Sequence, residues 1–172
     1  PSLGSGQTID PTTRLIPAPD RYRVDTPDLG LWFAAEMQKQ IDDMAAQGIR
    51  FAGFMADSIF SSDGVLPGPA GYLQPAIDVV HRNGGIFIAD EVQPGFARTG
   101  DAFWGFARHG VVPDVVTMGK PMGNGIPVSA LFARAEVLAA FRETLINGPT
   151  SEVAGEMASN FLDDEANRRS IQ

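Results

Sequence analysis

Residues 85–127 read GIFIADEVQPGFARTGDAFWGFARHGVVPDVVTMGKPMGNGIP, and the rest of the chain is arranged around them. Two short apolar runs, IFIAD ending at Asp90 and DVVTM shortly before Lys120, are rich in β-branched residues and bounded by glycine or proline. Each reads as a buried strand. In an open α/β sheet, ligands bind outside the carboxyl ends of the strands. Asp90 closes the first run and Lys120 lies just past the second, so both are expected on that rim. An acid and an amine at neighbouring strand ends are placed to hold opposite sides of one small planar ligand.

Working outward, residues 72–83 carry Leu73, Ala76, Ile77 and Val80 at helical spacing and stop at Gly84-Gly85. Residues 49–56 are apolar apart from Arg50 and read as another strand. Strand, helix, strand is a βαβ unit, which implies a parallel sheet with a right-handed crossover. Farther upstream, residues 31–47 place Ala34, Met37, Ile41, Met44 and Ala45 on one helical face, with Asp28 available as a cap and Gly48 as a stop. Downstream, residues 102–109 read as a short helix, 128–133 as a strand and 136–141 as the start of a helix. The expected fold class is α/β, three layers with helices on both sides of a mostly parallel sheet. Residues 1–30, with five prolines and no periodicity, read as an extended connecting segment. Residues 31–143 form the expected core, and 144–172 a polar, partly helical tail or truncated end.

Whole-chain properties narrow the function classes. A chain of 172 residues, 44% hydrophobic and 20% charged, has the material for a packed core and is not composed like a disordered segment. Its net charge of −8 repels nucleic acid and anionic membranes, so neither is expected as a partner. With no cysteine, disulfides and thiolate metal sites are excluded, and two histidines are too few for a histidine metal cluster. No apolar run approaches the ~20 residues that span a bilayer. No signal peptide is visible, and the chain starts at Pro1. The expectation is a cytoplasmic enzyme, seen here as a piece of something longer.

Asp90 and Lys120 admit more than one chemistry. An amine enclosed by apolar and glycine-rich neighbours is disfavoured as a cation and becomes a nucleophile able to form a Schiff base. That setting is expected for Lys120, between VVTMG and PMGNG. Asp90, with Glu91 beside it, is not limited to one role: a helix cap or a metal ligand is open to it. Neighbours in a strand point to opposite faces, so the two carboxylates cannot easily chelate one ion. A protonated pyridine nitrogen is a suitable partner for Asp90, because the charge-assisted bond keeps the ring cationic and electron-withdrawing. Val92, on the same side, is placed to pack on a ring face, and Gln93 to hydrogen-bond a ring oxygen. Gly119, Gly123 and Gly125 either admit a ligand close to the backbone or simply turn the chain.

The words IADEVQ, GFARTG, FWGF, VPDVVTMGK and GNGIPVSA, in this order, resemble the class III aminotransferases, pyridoxal-phosphate enzymes of fold type I. The resemblance covers about residues 17–141, and the combination of DEVQ with the lysine 30 residues after Asp90 carries most of it. It implies the large domain of the aspartate aminotransferase-like fold, incomplete here. It implies pyridoxal 5'-phosphate as cofactor, Lys120 as the Schiff-base lysine and proton carrier, Asp90 on the pyridinium nitrogen, Val92 on the ring and Gln93 at the ring hydroxyl. Thr150, 30 residues past Lys120, is the position that fits the family's phosphate-binding threonine, which serves the partner subunit. The implied reaction is ping-pong transfer of an amino group from an amine or amino acid to a keto acid or aldehyde, in a homodimer or larger homo-oligomer. One departure is Asp57-Ser58, where many members carry Glu-Pro.

Three alternatives bound this reading. Other fold type I chemistry, such as an aminomutase, decarboxylase or phospholyase, uses the same residues. A Schiff-base aldolase would use Lys120 without any pyridine for Asp90 to hold. A catalytically incomplete fragment kept for assembly would use neither.

Overall fold

Residues 9–147 are described by a computed structural model. Helix α1 (Leu29–Ala46) begins where Asp28, in an extended conformation, accepts a hydrogen bond from the Leu31 amide at 2.9 Å. Such a cap is worth about 1 kcal/mol. The chain leaves the helix at Gly48, whose φ of +72° is one an L side chain resists. Leu29, Phe33, Ala34, Met37, Ile41 and Met44 face inward, whereas Ala45 is exposed. The inward stripe passes from Ile41 to Met44, and Ala45 falls off its edge. Helix α2 (Gln74–Arg82) buries Ala76, Ile77, Val79 and Val80, and tolerates Pro75 because a first-turn amide has no helical partner to lose.

The sheet holds β1 (Gly53–Ala56), β2 (Ile86–Asp90), β3 (Val115–Met118) and β4 (Ala130–Ala133), in the spatial order β1-β2-β3-β4. The first three strands are parallel, as the βαβ reading requires. β1 is shorter than the apolar run that contains it, for a structural reason. Its ladder partner β2 starts at Ile86, opposite Gly53, so residues 49–52 have no strand to pair with beyond the Ile86 amide on the Ala52 carbonyl. Asp114 drops out of β3 because it caps the ladder. Its carboxylate accepts from the Phe87 amide at 2.8 Å and lies 2.9 Å from His81 Nε2.

Right-handed crossovers that always step in the same direction put their connections on one face of a sheet. That face carries Phe54, Phe87, Ala89 and Val116. Ile77 of α2 packs there, and Phe33 of α1 meets Phe54 and Phe60 edge-on at 6.1 and 5.6 Å. The register sets Met55, Ile86 and Ile88 on the opposite face, with Asp90 at its carboxyl end. The chain divides into two units, the first running through Phe132 and the second starting at Ala133. The second holds helix α3 (Ala135–Asn147).

His109 ends a short 3-10 helix (Gly105–His109) and stands edge-on against Tyr72 at 4.9 Å. Only 2% of it is exposed, and no side chain among the described residues bonds its ring nitrogens. Burial, aided by the Arg108 charge, lowers its pKa to about 4. Between pH 6.5 and 4 the unfolded chain therefore binds a proton that the folded chain refuses. Stability is full above pH 6.5 and falls through that window, by about 3 kcal/mol in all. Glu91, whose carboxyl is pushed upward by burial, works in the opposite direction on acidification. Comparison with His109→Phe, which keeps the edge-on ring contact, isolates the histidine. Urea titrations from pH 7 to 4 should show a flatter stability profile in the variant.

Candidate functional site

Strand register decides how the acid and the amine stand to each other. Ile88 pairs with Val115, Ala89 with Val116 and Asp90 with Thr117. Asp90 therefore ends β2 directly beside the residue three before Lys120, and both lie on the same carboxyl rim of adjacent parallel strands. The Glu91 amide continues the ladder by donating to the Thr117 carbonyl at 2.8 Å.

Asp90 is half-buried. Its Oδ1 accepts from the Val92 amide at 3.1 Å, which turns the chain out of the strand, and its Oδ2 has no partner among the described residues. Glu91 goes the other way, as strand alternation demands. It is fully buried, with Oε2 accepting from the Gly105 amide at 2.8 Å and Oε1 from the Phe106 amide at 2.9 Å. Burial raises its pKa, the two amides lower it, and the Asp57 and Asp90 charges raise it further. Glu91 thus pins the far end of the loop that carries Val92 and Gln93, a role its sequence position did not disclose. The metal-ligand option for Asp90 and Glu91 finds no support: no group of three or more His, Cys, Asp or Glu side chains among the described residues is disposed around one ion.

Gly105 is where that loop is tightest. A Cβ there would collide with Ser58 Oγ and the Pro94 ring. Gly105→Ala should destabilise the fold by roughly 2–3 kcal/mol, measured as a lowered urea midpoint with an unchanged slope.

Lys120 departs from expectation in one respect. It is exposed, not enclosed in an apolar pocket. The reason is the turn that follows: Asn124 at φ +45° and Gly125 at φ +100° send the chain into its own turn, with the Ile126 amide bonded to Gly123, and residues 124–129 are all exposed. Lys120 itself adopts φ +35° immediately before Pro121, a conformation that costs an L residue on the order of 1–2 kcal/mol. The three glycines separate into different roles. Gly125 serves the turn through its positive φ, and Gly123 backs onto Val128. Gly119 has open space: an added Cβ would meet Val92 Cγ2, the Val128 carbonyl and Ser129 Cβ only at 3.8–4.0 Å. Val92 therefore turns a methyl toward the backbone that carries Lys120.

Gln93 is half-buried, and its side-chain oxygen lies 3.3 Å from Arg98 Nη1. Asp57, just past β1 on the same rim, spends its carboxylate on its own loop, accepting from the Ile59 and Ser61 amides at 2.7 and 2.9 Å and from the Ser61 hydroxyl. Thr150 lies outside the described residues. Two open hollows, of about 610 and 410 Å³, lie elsewhere, along residues 21–30 and 69–75.

An open carboxylate oxygen, a methyl beside an unfilled glycine surface, an amide and a reachable amine suit a flat, cationic, aldehyde-bearing heteroaromatic ring. They do not suit a metal ion, for which the carboxylate count is too low.

The family described as aminotransferase class-III matches residues 4–157. An alanine–glyoxylate aminotransferase 2-like protein of Drosophila melanogaster is 37% identical over 146 residues, which is 81% of this chain and 30% of that protein. Among solved structures, an Arthrobacter phospholyase in complex with phosphoethanolamine superposes with a TM-score of 0.75 at 35% identity, over 95% of this chain and 41% of the other. An (S)-enantioselective omega-transaminase from Thermomicrobium roseum gives 0.65 at 27% identity, over 73% of this chain and 29% of the other. The chain thus spans under a third of the length of the curated relative.

Proposed function

Because the chain belongs to the class-III aminotransferases, we propose that it forms the cofactor-holding part of an enzyme that moves an amino group. The donor is an amine or amino acid and the acceptor a keto acid or aldehyde, in ping-pong order, so that the donor's product leaves before the acceptor binds. Enzymes of this family depend on pyridoxal 5'-phosphate, which supplies, when bound, an electron sink for the substrate carbon that loses its proton. The single observation that carries the reading is the pairing of Asp90 with Thr117, which sets the acid and Lys120 on one rim.

The chain's own residues divide the work. The open Asp90 Oδ2 would accept from a ring N–H, a charge-assisted bond that favours the cationic ring. The Val92 methyl would pack against the ring face, and Gln93 would bond a ring oxygen. Lys120 Nζ would be the group that holds the cofactor at its aldehyde, and the base that carries a proton from and back to the substrate carbon. An exposed Lys120 has room to swing between those two tasks. A homodimer or larger assembly and a cytoplasmic reaction complete the proposal. Exposed Ile126, Val128, Leu131 and Phe132, close in sequence to Lys120, are apolar groups open to a further protein surface, which supports packing against more protein than these residues supply.

The test is direct, because the sequence has two lysines. Lys39 lies on α1, 3.8 Å from Glu36 with its side chain 70% exposed, and serves as an internal control. After incubation with pyridoxal phosphate and borohydride reduction, peptide mass spectrometry should find the pyridoxyl group on Lys120 in preference to Lys39. Equal labelling, or none, would remove Lys120 from the proposal. A second reading, phospholyase chemistry on a phosphorylated amine, has the weaker support of the Arthrobacter neighbour. Release of inorganic phosphate from phosphoethanolamine, set against amino exchange with a keto acid, separates the two.

A further inference from the structure

The loop after β2 makes a bend that its sequence does not advertise. Phe96 and Ala97 are consecutive L residues at φ +63° and +60°, both in the left-handed region. The Ala97 amide bonds to the Phe103 carbonyl at 2.9 Å, and the Phe96 ring packs against Phe103 and Trp104 at 5.2 and 5.5 Å. The bend returns Arg98 to the loop's beginning. There Nη1 lies within hydrogen-bond reach of three oxygens: the Val92 carbonyl at 3.4 Å, the Gln93 carbonyl at 3.3 Å and Gln93 Oε1 at 3.3 Å. Arg98 has no carboxylate partner among the described residues, whereas Arg108, in the second GFAR segment, pairs with Asp101.

A guanidinium carries only donors. Whichever end of the Gln93 amide faces it must be the oxygen. The amide nitrogen is then turned away, and it has no partner among the described residues. We propose that Arg98 is a positioning residue: it clamps the Val92–Gln93 turn and fixes the Gln93 amide so that its NH2 group, never its oxygen, is offered to a ligand at the rim. Gln93 is thereby committed to donating toward an anionic or acceptor oxygen on the ligand. The proposal rests on the cofactor reading for the nature of that oxygen, but the Arg98–Gln93 clamp exists without any ligand and can be tested alone.

In 15N-labelled protein, the side-chain NH2 resonances of Gln93 should move toward their unstructured positions in Arg98→Leu and stay near the native positions in Arg98→Lys, which retains a donor. Resonances of α1 and α2 should not change, which excludes general unfolding. Unmoved Gln93 side-chain signals in Arg98→Leu would overturn the proposal. With pyridoxal phosphate titrated by absorbance, Gln93→Ala and Arg98→Leu should each weaken binding roughly 2- to 10-fold. The double variant should bind no worse than Gln93→Ala alone. Independent, multiplying effects would also overturn the clamp. If native protein binds no pyridoxal phosphate, the cofactor reading fails while the Gln93 signals still decide the role of Arg98.

Discussion

Lys120→Ala should lack the absorbance band at ~410–430 nm expected of the native protein with pyridoxal phosphate, and should lower turnover of the loaded enzyme by ~10³-fold or more. Both effects follow from losing the amine at the rim. A lysine that merely neutralised a phosphate would leave the band in place. The backbone supplies a second readout that does not involve cofactor. At φ +35°, residue 120 is in a region that alanine resists and glycine enters freely. Lys120→Gly should therefore be more stable than Lys120→Ala by about 1 kcal/mol, measured as a difference in urea midpoint, while both variants lack the band. Equal stability of the two would show that the left-handed conformation at 120 is not maintained in solution. A clear difference would show a strained residue retained where its side chain is needed.

Asp90→Asn has the second largest expected effect. The substitution preserves size and the contact from the Val92 amide, and removes the charge that keeps a ring nitrogen protonated. Loss of one such contact at a reacting centre costs on the order of 10²–10³ in kcat. Cofactor affinity should fall as well, by the roughly 1.5–3 kcal/mol of a charge-assisted hydrogen bond. The measurement is kcat and cofactor Kd on the same preparations. A Schiff-base aldolase would be almost indifferent to this change, because it has no pyridine to hold. Unchanged turnover in Asp90→Asn, together with loss of turnover in Lys120→Ala, would transfer the protein to that class.

The residues that the sequence disclosed best are those whose role is set by near neighbours. β2 begins and ends at Ile86 and Asp90 because its glycine boundary and its apolar alternation are local. The inward stripe of α1 was legible from Ala34 to Met44, without Leu29 and Phe33, and the cap at Asp28 with it. Boundaries that depend on a distant partner were not legible. β1 lost its first four residues because β2 begins opposite Gly53, and Asp114 left β3 to cap Phe87 and meet His81. Burial of individual polar groups was equally hidden. Strand alternation turns Glu91 away from Asp90, but its burial on the Gly105 and Phe106 amides could not be read from the sequence. Lys120 reads as an enclosed amine until the turn through Asn124 and Gly125 leaves it exposed.

Local pattern alone sets the order of strands and helices and identifies the acid and the amine that follow two of the strands. Apolar period, caps and glycine stops act within a few residues, so they are written in the letters. Only the folded chain shows the register of those two strands, the burial of Glu91 on the Gly105 and Phe106 amides, and the return of Arg98 to Gln93. Those outcomes depend on ladder hydrogen bonds and side-chain contacts between segments that are 5 to 27 residues apart, and no local pattern in the chain specifies which of them closes.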